Sequence, residues 1–314
     1  MTKNNKIGSR GWMAKRLGSL QGKTYVITGT TSGTGFEATR LLLSKGAKVV
    51  MLNRNPQKSE ATIKRLKQEF GAEADVSFIQ MDLASLDSVR RAAAEVLEKV
   101  PRIDALICNA AIAQVPKLEV TVDGFESQLG VNYLAYFLLS GLLFERIEQS
   151  KGRIVVVSSL AYKTGLKRIQ FEDLNFEKNY SGWNAYAQSK LALMMFAYEL
   201  QRRIKSAGKN TQVFVCHPGA SRTNLQDSFG LRDRILWGIM KWIIAQPAER
   251  GAWSQVMCAT EEGLKQEALY GPSKRGDTVG PVGENKLDPI ALDQEAAAKL
   301  WKTSEEKTGF QWNL

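Results

Sequence analysis

The sequence predicts a single α/β domain in which a doubly wound parallel sheet is covered by helices on both faces. The chain has 314 residues, of which 44% are hydrophobic and 24% charged, a balance typical of a globular protein with a sizeable core. Short apolar runs alternate with amphipathic stretches, as in repeated βαβ units. The runs are continuously apolar, which indicates strands buried on both faces, and right-handed crossovers then give the doubly wound order.

Six apolar runs are predicted as strands because continuous apolar stretches of this length suit buried strands. They cover residues 24–28, 47–52, 76–80, 103–108, 154–157 and 212–216. Apolar residues at helical spacing predict helices over residues 35–46, 57–70, 86–100, 125–150, 185–206 and 293–308. After residue 216 the alternation ends. An apolar, aromatic helix is predicted near 235–245, and residues 271–289, rich in Gly and Pro, are predicted as loop.

The domain boundaries follow from this pattern and from the charge. Residues 21–314 form the predicted domain, with a substrate lid at about 220–250 and a C-terminal extension at 271–314. The net charge is +11, and residues 1–23 carry six basic side chains and no acid. Residues 1–20 are interpreted as a solvated basic extension. The alternative is an arm that binds an anionic surface. Weak contact with a membrane surface is kept as a possible form of it, and nucleic-acid binding is not expected.

The absence of targeting signals bears on where the protein is located, and its few cysteine and histidine residues limit the chemistry that it can carry out. With no apolar run of 18 residues and no apolar stretch at the N-terminus, neither a transmembrane helix nor a secretory signal is predicted, and we expect a cytoplasmic protein. Three cysteines without metal-binding spacing argue against a disulfide framework and a zinc site. A single histidine, His217, argues against a histidine metal site and a Ser-His-Asp triad, so no metal is expected and a general acid must be another residue type.

A glycine-rich loop follows the first strand directly. Gly29, Gly33 and Gly35 are spaced as in a dinucleotide-binding turn, with Thr31 and Ser32 between them. The first glycine permits the tight turn, the second lets the backbone approach a pyrophosphate, and the third allows close helix packing. The N-terminus of the next helix then faces the phosphates. In this βα context we predict a Rossmann-type cofactor site.

The end of the second strand bears on which dinucleotide binds. An NAD site usually has an acid there, whereas this chain has Asn53 and Arg54. The guanidinium suits a 2′-phosphate, so NADPH or NADP⁺ is predicted over NADH. The alternative for Arg54 is a solvated surface residue. Asp82, after the third strand, is a candidate acceptor for the adenine amino group; its alternative is a cap for the next helix.

Tyr186 and Lys190 stand four residues apart at the start of a long helix, so they share a face. An ammonium beside a phenol favours the phenolate and lowers the tyrosine pKa towards the working pH. The pair is therefore a candidate acid/base. Ser158 and Ser159 follow the fifth strand and complete the constellation.

These pieces resemble the short-chain dehydrogenase/reductase family. They occur in the family's order: TGTTSGTG (28–35), DL (82–83), NAA (109–111), Asn132, SS (158–159), YAQSK (186–190) and HPG (217–219). Within the family the chain is most similar to the retinol-dehydrogenase-like branch and its bacterial relatives. The stretch between the serines and the tyrosine, the AYAQSKLAL helix and the C-terminal tail carry that similarity, which covers nearly all of the chain after residue 20.

The resemblance implies catalytic roles. Tyr186 is similar to the proton donor, and Lys190 to the residue that lowers its pKa and holds the nicotinamide ribose. Ser159 is similar to the serine that binds the substrate oxygen, with Ser158 as the adjacent alternative. Asn132 would anchor the water chain that returns the proton. Its alternative is a helix-interior Asn bonded to backbone.

The resemblance also implies cofactor contacts. Around the adenosine these are Asp82, Leu83, Asn109, Ala110 and Ala111, the last a departure from the family's usual glycine. Around the carboxamide they are Pro218, Gly219 and Thr223, while His217 is interpreted as structural.

The segment after the sixth strand favours a lipophilic substrate. Residues 229–245 are apolar and aromatic, and Phe229, Trp237 and Trp242 are candidate contacts for a small retinal-, terpenoid-, steroid- or aryl-type carbonyl or alcohol. The alternative is a core or dimer helix. A monomer or homodimer is expected. Two competing functions are a light-dependent protochlorophyllide reductase-like enzyme and a catalytically silent NADP-sensing protein on this fold.

Overall fold

The computed structural model describes residues 11–220 and 246–314, which build one eight-stranded sheet in the order β3-β2-β1-β4-β5-β6-β7-β8. Strands β1 to β7 are parallel, and β8 is antiparallel to β7. The bounds are β1 (Thr24–Thr28), β2 (Lys48–Asn53), β3 (Val76–Gln80), β4 (Ala105–Cys108), β5 (Arg153–Val157), β6 (Gln212–Cys216), β7 (Leu269–Lys274) and β8 (Val279–Asn285). The doubly wound fold is confirmed.

Helices cover both faces of the sheet. They are α1 (Gly33–Leu43), α2 (Pro56–Phe70), α3 (Leu86–Lys99), α4 (Ser127–Gln149), α5 (Gly182–Ser206), α6 (Ala248–Thr260) and α7 (Gln294–Thr308). Side chains of α3, α4, α5 and α7 build the core on one face, and those of α1, α2 and α6 build it on the other. Every residue of β1 is buried, as its unbroken apolar pattern predicts.

The strand order places a crevice beside β1. The chain runs outward from β1 through β2 to β3, then returns to β4 on the other side of β1. The loops that leave the carboxyl ends of β1 and β4 therefore diverge, and such a switch point is where open α/β sheets bind ligands.

Helix α4 is interrupted by a π-helical segment, Gly130–Leu134, which contains Asn132. Single π turns inside α-helices are frequent at functional sites. Among the described residues, α4 is the one helix long and apolar enough to cross a membrane, but 89% of that apolar window is buried inside the protein. The window therefore packs as the core of this fold.

The prediction that residues 271–289 form a loop is wrong, since β7 and β8 pair as a hairpin there. The glycine and proline content of this segment predicts a loop because these residues usually mark turns. Here Gly271 is needed because a side chain at that position would clash with His217 and Asn285. Pro272 is tolerated because β6 pairs only with the two β7 residues before Gly271.

The interpretation of residues 1–20 as a solvated extension is also wrong for its second half. Trp12 is fully buried, pairs with Val282 of β8, and donates from Nε1 to the Glu261 carboxylate at 2.7 Å. Leu17 and Leu20 are buried as well. Apolar side chains between the basic ones thus fix this segment to the sheet edge, whereas residues 1–10 lie outside the described part.

The C-terminal residues cover α4 and α5 with aromatic side chains. Trp301 and Trp312 pack at 5.2 Å between ring centroids, and both contact Phe137 of α4 and Phe196 of α5. Phe310 lies against Gly141 so closely that a Cβ there would come within 2.8 Å of its Cζ. The last residues of the chain therefore complete this face of the core.

Candidate active site

The glycine loop is held in a conformation that two glycines make accessible. Gly29 has φ +70°, and a Cβ on it would lie 2.7 Å from the Cβ of Ala110. A Cβ on Gly35 would clash with the Gly29 carbonyl and lie 2.5 Å from Nδ2 of Asn109. Helix α1 thus begins in direct contact with the loop. Ser32 at its N-cap makes no side-chain hydrogen bond to the helix, so the first backbone N–H groups are left for a ligand.

Gly35→Ala is expected to lower the free energy of unfolding by about 1–3 kcal/mol, because the new methyl group must push α1 away from the loop. Gly18→Ala is the matched control, since a Cβ there meets no atom within 4 Å. Chemical denaturation of both variants checks the prediction. Equal stability of the two variants would show that α1 and the loop separate freely.

Asn53 braces the loop from inside. It is 4% exposed, and its Oδ1 accepts from the Thr30 backbone N–H at 2.8 Å while its Nδ2 donates to the Thr30 hydroxyl at 2.9 Å. The side chain is thus engaged with Thr30. Arg54, the next residue, is exposed, and its guanidinium makes no hydrogen bond or ion pair with the rest of the described chain.

Asp82 shapes the turn before α3. Its carboxylate accepts from the Ala84 N–H at 2.9 Å, while the Ser85 side chain caps α3 by accepting from the Ser88 N–H. The alternative of a helix cap at Asp82 is therefore wrong. Leu83, its neighbour, is buried in the core.

The loop after β4 is tied to the loop after β1. Asn109 donates from Nδ2 to the carbonyls of Thr28 and Gly29 at 2.9 and 3.2 Å, and its Oδ1 accepts from the Thr34 hydroxyl. The Thr28 hydroxyl accepts from the Asn109 and Ala110 N–H groups, both at 3.0 Å. Asn109 therefore fixes the walls of the crevice, and its place beside the adenosine of a cofactor stays a prediction. Ala110 and Ala111 are half-buried beside it.

Tyr136 is a residue that sequence reasoning missed. From α4 its hydroxyl donates to the Ala110 carbonyl at 2.6 Å and lies 2.9 Å from the Thr28 hydroxyl. It is fully buried, so these bonds satisfy a hydroxyl that would otherwise be costly to bury. Nothing in the spacing of the sequence marks this contact, because α4 is apolar around most of its surface.

Tyr186 and Lys190 lie together on α5 and are 6% and 2% exposed. The Lys190 ammonium is 5.9 Å from the centroid of the tyrosine ring and donates to the Val157 carbonyl at 3.0 Å. Burial lowers the pKa of Lys190 to about 8. Burial raises the pKa of Tyr186, and a hydrogen bond with Ser159 opposes that rise.

This corrects the expectation that Lys190 lowers the tyrosine pKa. The ammonium is directed to a backbone carbonyl, and desolvation of the phenolate outweighs the other effects on Tyr186.

The two serines after β5 separate into different environments. Ser159 interacts with the Tyr186 hydroxyl, and its Oγ also accepts from the Ala161 N–H at 3.2 Å. Ser158 is 3% exposed and donates from Oγ to the Lys190 backbone carbonyl at 3.2 Å. Ser159 is thus the serine that lies beside the Tyr186 hydroxyl, and Ser158 fastens β5 to α5. The catalytic role of Ser159 stays a prediction.

Asn132 is fully buried, and its amide group is saturated. Oδ1 accepts from the Ile112 N–H at 2.9 Å, and Nδ2 donates to the Ile112 carbonyl at 2.9 Å and to the Ser189 hydroxyl at 3.0 Å. The Ser189 hydroxyl in turn donates to the Tyr186 carbonyl at 2.8 Å. The Asn132 side chain thus bonds to the backbone, as the alternative to a catalytic role predicts, and it links the loop after β4 to α5. Its role in a water chain stays a prediction.

His217 holds the loop after β6 against the hairpin. It is 1% exposed, and burial lowers its pKa to about 4, so the ring is neutral near pH 7. Nδ1 accepts from the Gly219 N–H at 3.1 Å, which leaves Nε2–H to donate to Asn285 Oδ1 at 2.8 Å. The ring is therefore fully used, as a structural histidine requires.

Gln246 is hydrogen-bonded to the loop after β6. The Gln246 N–H donates to the Ala220 carbonyl at 2.8 Å, and the Gln246 side chain donates to the Pro218 carbonyl at 3.1 Å. The Ala220 N–H donates to Thr278 in the hairpin. Pro218 and Gly219 are thus fixed at the carboxyl end of β6. Four predicted contacts lie outside the described residues: Thr223, Phe229, Trp237 and Trp242.

Comparisons with known proteins agree with this geometry. Residues 23–171 match the family model of the short chain dehydrogenases. Retinol dehydrogenase 14 of Homo sapiens is 39% identical over 307 residues, which cover 93% of this chain and 88% of that protein. Polyprenol dehydrogenase of Homo sapiens is 31% identical over 296 residues, which cover 91% and 85%.

Among solved structures, an uncharacterized protein from Mycobacterium Paratuberculosis has a TM-score of 0.79 at 36% identity, covering 97% of this chain and all of that one. A short chain dehydrogenase/reductase family protein has a TM-score of 0.57 at 25% identity, covering 77% and 91%. Fold, motifs and identity over most of the length agree. The chain therefore belongs to the short-chain dehydrogenase/reductase family and is a retinol-dehydrogenase-like member of it.

Proposed function

We propose that this oxidoreductase uses NADP(H) and exchanges a hydride with the carbonyl or alcohol carbon of a lipophilic substrate. The observation that carries the proposal is the constellation of Ser159, Tyr186 and Lys190. The two hydroxyl groups interact, and the ammonium lies 5.9 Å from the tyrosine ring. The set is intact, which favours an enzyme over a silent cofactor-sensing protein.

The residues around the crevice fit a dinucleotide. Side chains at Gly29 and Gly35 would fill the space beside the start of α1, and the Ser32 side chain leaves the first helical N–H groups unbonded. These N–H groups would hold the pyrophosphate. Lys190 and the loop at Pro218 and Gly219 would hold the nicotinamide end. The chemistry that the cofactor supplies when bound is hydride exchange with the substrate carbon.

The protein's own part is to handle the proton and the charge on the substrate oxygen. In the reducing direction, Tyr186 would donate its hydroxyl proton to that oxygen, and Ser159 would donate a hydrogen bond to it as negative charge develops. The tyrosine is left as a phenolate, which the Lys190 ammonium at 5.9 Å from the ring stabilises. In the oxidising direction the same groups would remove the proton from the alcohol.

The end of β2 supports NADP(H) over NADH. Asn53 is turned inward and bonded to Thr30. Neither Asn53 nor Arg54 is an acid that could accept from a ribose 2′-hydroxyl or repel a 2′-phosphate. Arg54 is exposed beside it with a free guanidinium fork, whose planar donors suit a phosphate.

Arg54→Ala is expected to raise KM for NADPH by about tenfold or more and to change KM for NADH by less than about twofold, because one charge-assisted contact of about 1.5–3 kcal/mol is lost only with the phosphate. Initial rates with both cofactors test this. Arg91→Ala is the control, since Arg91 is exposed on α3 and paired with Asp87. Equal KM values for NADPH and NADH in the wild type would contradict the proposal.

The lipophilic substrate is supported by the relatives, whose names specify retinol and polyprenol. The direct test is to follow NADPH oxidation at 340 nm against a panel of short and long aldehydes and ketones, with all-trans-retinal among them. Turnover of the large apolar carbonyls in preference to the short ones supports the proposal. The proposal is contradicted if no compound in the panel causes NADPH to be oxidised.

A further inference from the structure

Three side chains form a stripe along α5. Trp183, Tyr186 and Lys190 are spaced by three and four residues, so they share one helix face. The ring centroids of Trp183 and Tyr186 are 6.2 Å apart, and the Lys190 ammonium is 5.9 Å from the tyrosine centroid. Exposure rises along the stripe, from 2% at Lys190 through 6% at Tyr186 to 42% at Trp183. The stripe therefore runs from the buried end of the site to its mouth.

Two other segments meet the start of α5 beside Trp183. A side chain at Gly182 would clash with the Val115 carbonyl, so the loop after β4 touches the helix there. A Cβ on Gly165 would lie 3.0 Å from Ala187, so the loop after β5 touches it as well. Each of these loops carries an exposed leucine. Six large apolar side chains are exposed among the described residues, and Trp183 and the two leucines are three of them: Leu118, Val120, Val122, Leu166, Trp183 and Leu292.

We infer that Trp183 is a specificity-determining residue that packs against a flat, conjugated group attached to the reacting carbonyl carbon. The inference rests on the proposed function, which fixes the reacting oxygen at Tyr186 and Ser159. With Lys190 at the buried end, the remainder of the substrate leaves the site past Trp183. An aromatic face gains most from a planar π system, because a puckered saturated ring places fewer atoms in contact with it.

The test compares aldehydes that differ in planarity. Benzaldehyde and cyclohexanecarbaldehyde have the same number of carbon atoms, and all-trans-retinal and icosanal form a longer pair that is also matched in carbon number. For Trp183→Ala we expect kcat/KM to fall about three- to tenfold more for the conjugated member of each pair than for the saturated one, mainly through KM. KM for NADPH should be the same as in the wild type, because the stripe places Trp183 on the far side of Tyr186 from Lys190.

Trp183→Phe keeps a flat ring and should retain most of the preference for conjugated aldehydes. Leu292→Ala is the control for loss of an exposed apolar side chain, since Leu292 is 43% exposed in the turn before α7. If the wild type is active and Trp183→Ala lowers kcat/KM by the same factor for both members of each pair, this inference is overturned. The proposed function then still stands. A wild type that reduces none of the four aldehydes overturns the proposed function, and this inference with it.

Discussion

Tyr186→Phe is expected to lower kcat by about two to four orders of magnitude, the contribution typical of a positioned general acid. The substitution removes only the hydroxyl, and the ring stays packed against Ala113 and Ala161. Loss of the hydroxyl's interaction with Ser159 is expected to lower the free energy of unfolding by about 1 kcal/mol at most. Steady-state rates and thermal unfolding, measured on the same preparation, separate the two effects.

Tyr198→Phe is the matched control, because it makes the same change on the same helix. The Tyr198 hydroxyl donates to the Ala268 carbonyl at 3.3 Å, twelve residues beyond Tyr186. The control should keep nearly full turnover with a similar loss of stability. Turnover of Tyr186→Phe within a few-fold of the wild type would falsify the assignment of the proton donor.

Lys190→Met is expected to lower kcat by about two orders of magnitude or more and to raise stability at pH 7. The loss of rate follows because the phenolate of Tyr186 loses the charge that stabilises it and the cofactor loses a contact. The gain in stability follows because a fully buried ammonium costs free energy, and its pKa is lowered to about 8. The orphaned Val157 carbonyl offsets part of that gain.

The pH dependence of unfolding separates the cost of this charge from packing effects. Below pH 8 Lys190 is charged in both states, and the folded state bears the full penalty, at most about 3 kcal/mol. Between pH 8 and about 10.4 the unfolded state holds the proton and the folded state does not, so the wild type gains stability as pH rises. The stability advantage of Lys190→Met should therefore shrink across this range. An advantage that is absent at pH 7, or that grows with pH, contradicts the explanation.

The sequence predicts the first six strands and the helices between them because each has its own local signal. Continuous apolar runs such as residues 24–28 and 212–216 become strands within one residue of the predicted bounds. The hairpin of β7 and β8 has no such signal. Its glycine and proline residues are placed by contacts with residues such as His217, which lies more than fifty positions away. Local composition carries no information about contacts of that range.

The same distinction holds for the site. The proximity of Tyr186 and Lys190 can be predicted from the sequence because a spacing of four residues along a helix places them on one face. Which of Ser158 and Ser159 lies beside Tyr186 depends on the packing of β5 against α5, since adjacent residues of an extended chain point to opposite sides. The hydrogen bonds of Asn53 with Thr30 have no local signal, because they depend on how the glycine loop approaches the end of β2. The contact of Asn53 with a cofactor stays a prediction.

Two long-range contacts also set the order in which this protein reaches its final state during synthesis. Trp12 finds its indole partner, Glu261, 249 residues later, which at ordinary translation rates is a delay on the order of ten to fifty seconds. Trp312 and Phe310, which close the core over α4 and α5, are synthesised long after both helices. The helix that carries Tyr186 therefore completes its packing only after these residues have left the ribosome, and a chain that lacks them would leave that helix uncovered.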